Sequence, residues 1–166
     1  SFPMAGIGDV MTGTNAFAAI GYALLHRSKS GRGQFLDVSL IDSYMHCHEV
    51  NIEVYELSGK KTIPSRSGHH HYAVCPLGLF KGKSRYICII ALENQWSALC
   101  EAMGCPELID DRRYSSNEKR VANASEVIDL IQKWINGIGD DEKVIQLLEE
   151  KRVPCGPVLS VDEVVE

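Results

Sequence analysis

The sequence predicts an α/β protein in two parts: a helix–strand–helix segment, then, past a linker, a small α+β domain. Three observations carry this. Ahead of Gly59, apolar residues recur at helical spacing on both sides of one short alternating segment, Phe35–Leu40. The stretch Gly59–Ser67 bears Lys, Ser, Gly and Pro and reads as a linker. Beyond it come two short strand-like runs and then a series of helical patterns.

Thr12 to about Arg27 reads as the first helix. Phe17, Ile20 and Leu24 fall at i, i+3 and i+7, with Ala16, Ala19 and Ala23 between them. So many small residues predict close packing against neighbouring backbone. Arg27 and Lys29 suit the negative end of the helix dipole, and Gly31 and Gly33 stop the helix. Phe35–Leu40 is the strand, with Leu36, Val38 and Leu40 on one face. A second long helix is expected over about Ile41–Leu57. After the linker, Ala73–Phe80 and Arg85–Ala91 are strands joined by the turn Lys81-Gly82-Lys83-Ser84. Helices follow at about Asn94–Met103, Ser125–Ile135 and Asp141–Lys151. Asp140 and Asp141 cap the last of these, and Val144, Ile145, Leu147 and Leu148 form its apolar face. Val158–Leu159 is a further strand candidate. Trp96 and Trp134 fall on apolar helix faces and are expected in the core. The charged run Glu107 to Arg120 reads as a solvated surface. The domain boundaries that follow are 1–58, a linker 59–67, a small domain 68–160, and the start of a return to the first domain at 161–166.

Composition excludes several function classes. The 166 residues carry a net charge of −5, whereas nucleic-acid binding needs a basic face. No apolar run reaches the ~20 residues of a membrane helix, and no secretory leader opens the chain. The six Cys include no C-x-x-C pair, which predicts reduced thiols and a cytoplasmic setting. The chain opens on Ser1-Phe2-Pro3-Met4 and stops in an amphipathic run, so it is expected to be an internal portion of a longer protein.

Asp9 is the main candidate for chemistry. It stands in Gly6-Ile7-Gly8-Asp9-Val10 at the entrance of the first helix. Glycines let backbone approach a ligand, and a helix N-terminus favours negative charge by about 0.3–1 kcal/mol. An exposed, electrostatically favoured carboxylate suits a nucleophile; the plain alternative is a helix-entry residue, a common use of Asp. Gly31-Arg32-Gly33 is not a dinucleotide fingerprint, because the order here is helix, glycines, strand. His69-His70-His71 attracts a metal reading with Cys75, but alternate residues of an extended segment face opposite sides and the spacing matches no zinc site. No metal is expected. His46-Cys47-His48 lies within a predicted helix, where neighbours do not face one another, so it is no Cys–His nucleophile pair.

An ordered set of motifs resembles the family III CoA-transferases of the CaiB/BaiF type. It comprises Gly8-Asp9, then Arg27-x-x-x-Gly31-x-Gly33-Gln34-x-x-Asp37-Val38-Ser39-x-x-Asp42, then Arg66-x-Gly68-His69, Ala73-x-x-Pro76-x-Gly78-x-Phe80 and Asn94-Gln95-Trp96. Val153-Pro154-Cys155-Gly156-Pro157-Val158 completes it. The likeness runs over nearly the whole chain. It implies that the first part belongs to a nucleotide-binding-like large domain and that Asp9 is the catalytic aspartate.

In such an enzyme an ionised carboxylate attacks a thioester, giving an aspartyl anhydride and then an aspartyl-CoA thioester. Gly6 and Gly8 would supply backbone N–H groups to the oxyanions. Arg32, with Arg27 and Lys29, is the candidate contact to CoA phosphates, though their place at the helix end explains all three without any ligand. The resemblance further implies a CoA thioester as substrate with no permanently bound cofactor, a carboxylic acid acceptor, and an interlocked homodimer whose linker includes Gly59–Ser67. Formyl-CoA transferases carry a glycine-rich loop near His69–His71 that this chain lacks, which argues against a formyl or oxalyl substrate.

Two alternatives remain at this point. An α-methylacyl-CoA racemase of the same fold would use the aspartate in proton transfer. Only one glycine follows Asp9 in Val10–Asn15, which favours the transferase. A non-catalytic, oligomer-forming scaffold would bind no acyl-CoA at all. The 166 residues alone are expected to be catalytically silent and to self-associate through exposed apolar helix faces.

Overall fold

The computed structural model describes residues 6–166, and the opening residues of the predicted first domain lie outside that range. The chain divides into two compact units that meet between Pro64 and Ser65. The first holds α1 (Ile7–Ser30), α2 (Leu40–His46) and α3 (Glu49–Leu57).

α1 starts earlier than its apolar spacing predicts. Gly6 is the N-cap, and its carbonyl accepts the Val10 N–H at 2.9 Å. Asp9 therefore sits inside the first turn, where its charge favours the helix dipole. Gly31 closes the helix as predicted. It takes the left-handed φ of 72° that glycine tolerates best, and its N–H bonds to the Arg27 carbonyl at 2.9 Å.

Two expectations for this unit are corrected. The strand over Phe35–Leu40 is absent: the chain between Gly31 and Ser39 forms no regular element, and Leu40 opens α2. A strand is held by its ladder, and the described residues of this unit contain no second strand to pair with. The single helix over Ile41–Leu57 is two helices. At the break the Cys47 N–H turns back to the Tyr44 carbonyl at 3.0 Å and the His48 N–H to Met45 at 2.9 Å, both tight i−3 closures. Ser39 caps α2 by accepting the Asp42 N–H at 3.3 Å.

The face that α1 turns toward its unit is also not the apolar one. Gly8, Met11, Thr12, Asn15, Ala16, Ala19 and Ala23 are half-buried, and α2 packs on α1. Phe17, Ile20 and Leu24 remain 80%, 50% and 57% exposed.

In the second unit β1 (Leu77–Lys81), β2 (Tyr86–Ile90) and β3 (Cys155–Pro157) form an antiparallel sheet in that order. Phe80 pairs with Ile87 and Ile89 with Cys155, which puts Phe80, Ile87 and Ile89 on the core face. The third strand precedes the predicted Val158–Leu159 position, and Ser160 instead begins α8 (Val161–Val165). Around the sheet lie α4 (Trp96–Ala102), α5 (Asn117–Ala122), α6 (Ala124–Ile138) and α7 (Asp141–Glu150). α6 buries Val127, Ile131 and Ile135 at i, i+4 and i+8, and α7 buries Val144 and Leu148 against them. Trp96 is in the core, whereas Trp134 packs against it only partly buried.

Arg120 corrects the reading of Glu107–Arg120 as solvated. Arg113 does lie on the surface, paired with Asp111 and Glu126. Arg120 on α5 is only 1% exposed. Its guanidinium donates to the Cys75 carbonyl at 2.8 Å, the Tyr114 carbonyl at 2.9 Å and Glu93 at 2.6 Å, and it lies 5.0 Å from the Trp96 ring centre. A cation whose donors are so matched is tolerated in a core.

Asp141 ties the opposite end of the sheet. Its carboxylate accepts the backbone N–H groups of Lys83, Ser84 and Arg85 and the Ser84 hydroxyl at 2.7 Å. Gly82 makes this possible, since a Cβ there would strike the Asp141 carboxylate and stand 2.7 Å from the Arg85 carbonyl. The Ser84 hydroxyl above all, with these N–H groups, holds the Asp141 carboxyl down to about 2 from 3.8. A depressed folded-state value means the stabilisation is whole above about pH 4 and fades as the pH falls toward 2. Asp141→Asn is expected to lower unfolding free energy near pH 7 by about 1–3 kcal/mol. Its acid unfolding limb is expected to be flatter than that of the parent, as read by urea titration at a series of pH values. Parallel pH profiles for the two proteins would contradict this role.

Candidate active site

Asp9 is exposed on the first turn of a 24-residue helix, three residues past the Gly6 cap. A Cβ on Gly6 would lie 3.5 Å from an Asp9 carboxylate oxygen, so bare backbone runs beside that oxygen. The first N–H groups of a helix have no intrahelical carbonyl to bond. Backbone donors of this kind are what an anionic oxygen beside Asp9 would need.

α2 packs directly behind this turn. Tyr44 brings its ring edge to 3.9 Å from the place a Gly8 Cβ would take, and Asn15 donates to the Ser43 hydroxyl at 3.1 Å. Thr12 donates to the Gly8 carbonyl at 2.6 Å. Gly6, Gly8 and Asp9 are therefore together. Arg32 is not with them. It lies past Gly31, beyond the far end of α1, about 30 Å from Asp9 by the helix rise of 1.5 Å per residue, with its own N–H bonded to the Ser30 hydroxyl at 3.2 Å. Arg27 and Lys29 share that end of the helix.

The three consecutive histidines diverge. His69 meets the Tyr86 ring edge-on at 5.2 Å, His70 meets Phe80 at 4.9 Å, and His71 stacks on Tyr72 at 4.8 Å. Burial, and then the neighbouring His69, lower the His70 pKa. Among the described residues no group of three or more His, Cys, Asp or Glu is placed to hold a metal ion. No helix among them is long and apolar enough to cross a membrane.

Cys75, Cys100 and Cys155 are poor nucleophiles. Burial pushes the Cys75 thiol up to about 11 and the Cys100 thiol up to about 12, and raises Cys155 as well. Cys47 is exposed. Iodoacetamide at pH 7.5 is expected to alkylate Cys47 well before Cys75 or Cys100. Peptide mapping checks this; modification of Cys75 or Cys100 ahead of Cys47 would contradict it.

Asn15 carries a signal in the sequence, whereas its partner Ser43 does not. Gly8, Thr12, Asn15, Ala19 and Ala23 recur at i, i+4, i+7, i+11 and i+15, a stripe of small and polar residues that marks the close-packed face of α1.

Known proteins match nearly the whole chain. The model of CoA-transferase family III matches residues 2–166. A succinyl-CoA:mesaconate CoA-transferase of Haloarcula marismortui is 32% identical over 162 residues, 97% of this chain and 39% of that protein. The human succinyl-CoA:glutarate CoA-transferase is 33% identical over 160 residues, 94% of this chain and 35% of the relative. The chain thus spans about two fifths of the length of the curated relatives it matches. Among solved structures, a CaiB/BaiF family protein from Brucella suis superimposes with a TM-score of 0.73 at 26% identity, covering 99% of this chain and 43% of its own. A Mycobacterium tuberculosis protein at 20% identity shares the fold, with a TM-score of 0.80 over 100% of this chain and 42% of its own.

Proposed function

Because the chain belongs to CoA-transferase family III, we propose that the protein carrying it moves CoA from an acyl-CoA thioester to a carboxylic acid, with Asp9 as the nucleophile. The observation that carries this is the placement of Asp9: exposed, in the first turn of α1, and flanked by Gly6 and Gly8, with bare Gly6 backbone beside its carboxylate. The Asp9 carboxylate attacks the thioester carbonyl carbon, the C–S bond breaks, and CoA thiolate leaves a mixed anhydride. The thiolate then attacks the Asp9 carbonyl carbon and expels the donor acid, leaving an aspartyl-CoA thioester. An acceptor carboxylate reverses the sequence, attacking this thioester and then receiving the thiolate, so that Asp9 emerges unchanged. Each stage splits one difficult exchange into easier ones.

Gly6 and Gly8 lend backbone donors to the oxyanions. Arg32 reaches the phosphates of the same CoA only if the nucleotide lies lengthwise along α1. The substrates we favour are short dicarboxylic acids with succinyl-CoA as donor, the type named for the mesaconate and glutarate transferases. The exposed Phe17, Ile20 and Leu24 favour burial in a full-length homodimer. Residues 1–58 then belong to the large domain, 59–67 to a linker and 68–160 to the small domain.

The test is to incubate the full-length protein with succinyl-CoA and a panel of mono- and dicarboxylic acids and to follow new CoA thioesters by chromatography. Formation of the acceptor's thioester is expected. Deuterium uptake at the α-carbon of a branched acyl-CoA, without transfer, would replace this reading with racemisation. No turnover and no acyl-CoA binding would leave a scaffold.

A further inference from the structure

We propose that Asn15 and Ser43 are positioning residues for Asp9, an inference that rests on the reading of Asp9 as nucleophile. The turn that carries Asp9 is intrinsically weak. Gly8 and Gly13 fall within its first two turns, and a glycine in a helix costs about 0.5–1 kcal/mol relative to Ala. Its cap, Gly6, has no side chain to bond the first N–H groups. Beyond the Thr12 bond to the Gly8 carbonyl, what holds this turn comes from α2. Ser43 is 5% exposed and is the one buried residue among the described residues of the first unit. Its hydroxyl accepts from the Asn15 amide at 3.1 Å. That bond fixes the adjacent Tyr44, whose ring edge lies 3.9 Å from the Gly8 Cβ position.

Gly8, Thr12 and Asn15 share one side of α1 at 100° per residue, and all three are half-buried. Asp9, one step around the helix from Gly8, remains exposed. The contact therefore braces the backbone immediately before the nucleophile without covering the nucleophile. A polar pair does this more selectively than an apolar one. A slip of α2 along α1 strips the buried Ser43 hydroxyl of its donor, so the bond selects one register and with it one rotation of Asp9 about the helix axis. Attack on a thioester depends on that rotation, and an ångström of misplacement costs about 100-fold in rate.

The experiment uses the full-length protein with succinyl-CoA and no acceptor, and measures formation of the hydroxylamine-sensitive adduct on Asp9 by quenched-flow mass spectrometry. Asn15→Leu and Ser43→Ala are each expected to slow adduct formation by about 10- to 100-fold per folded molecule, with the acyl-CoA concentration for half-maximal rate within about 2-fold of the parent. The double variant should be no slower than the slower single one, because both remove the same bond. Asn15→Asp, to which the Ser43 hydroxyl donates instead, should recover most of the rate. Thermal melts report the folded fraction throughout. Parent-like acylation in both single variants, loss that tracks only the folded fraction, or multiplying effects in the double variant would each overturn the positioning role. Absence of any Asp9 adduct in the unaltered protein would overturn the nucleophile reading itself, a different outcome from an adduct that forms equally fast in every variant.

Discussion

Asp9→Asn is expected to abolish CoA transfer by the full-length protein, by at least about 10³-fold, while leaving it folded. The amide keeps the shape of the carboxylate but has no anionic oxygen with which to attack a thioester. The side chain is exposed, so its removal disturbs no packing. What stability it contributes comes from its place in the first turn of α1, worth about 0.3–1 kcal/mol. Steady-state transfer and a thermal melt on the same preparation check both parts. Because deamidation restores the parent residue, the preparation has to be verified by intact mass. Substantial transfer by a verified variant would remove Asp9 from the mechanism.

Arg120→Ala is expected to be the most destabilising single change among the buried polar residues of the second unit. It leaves the Cys75 and Tyr114 carbonyls without the donors they have now, at about 1–3 kcal/mol each if water does not enter. It also removes the cation over the Trp96 ring, worth about 1–2 kcal/mol once desolvated. The Glu93 side chain is 60% exposed, so its partner's loss adds little. Together these come to about 3–8 kcal/mol, read by urea unfolding. Arg120→Lys keeps the charge but not the fork that reaches three acceptors, and should fall between the two. A loss under about 1 kcal/mol for Arg120→Ala would show that these three connections are redundant.

The parts of the fold that the sequence made legible are those whose information is local. α6 and α7 were readable because their buried residues repeat with the helical period and Asp140 caps α7, accepting the Lys143 N–H at 3.1 Å. Gly31 marked the end of α1 because a left-handed residue is needed there. The failures share a cause: the deciding partner is distant in sequence. Phe35–Leu40 alternates like a strand, but alternation makes no ladder without a neighbour. Phe17, Ile20 and Leu24 mark an apolar face of α1, but α2 packs on the stripe of small residues beside it, which periodicity of large apolar residues does not find. Arg120 sits in a charged run that looks solvated; only the arrival of Cys75, Glu93 and Trp96 from elsewhere in the chain buries it. In the proposed site, Gly6, Gly8 and Asp9 lie together because they are nearly contiguous. Ser43 was missed because its bond to Asn15 spans 28 positions.

The central claim is that Asp9 becomes covalently attached to CoA. Mixing the full-length protein with an acyl-CoA in the absence of acceptor, quenching in acid and mapping peptides by mass spectrometry tests it most directly. The account predicts a CoA adduct on the peptide containing Asp9, discharged by hydroxylamine and by an acceptor acid, and absent from Asp9→Asn. Transfer activity with no adduct on Asp9, or with the adduct on another carboxylate, would contradict it.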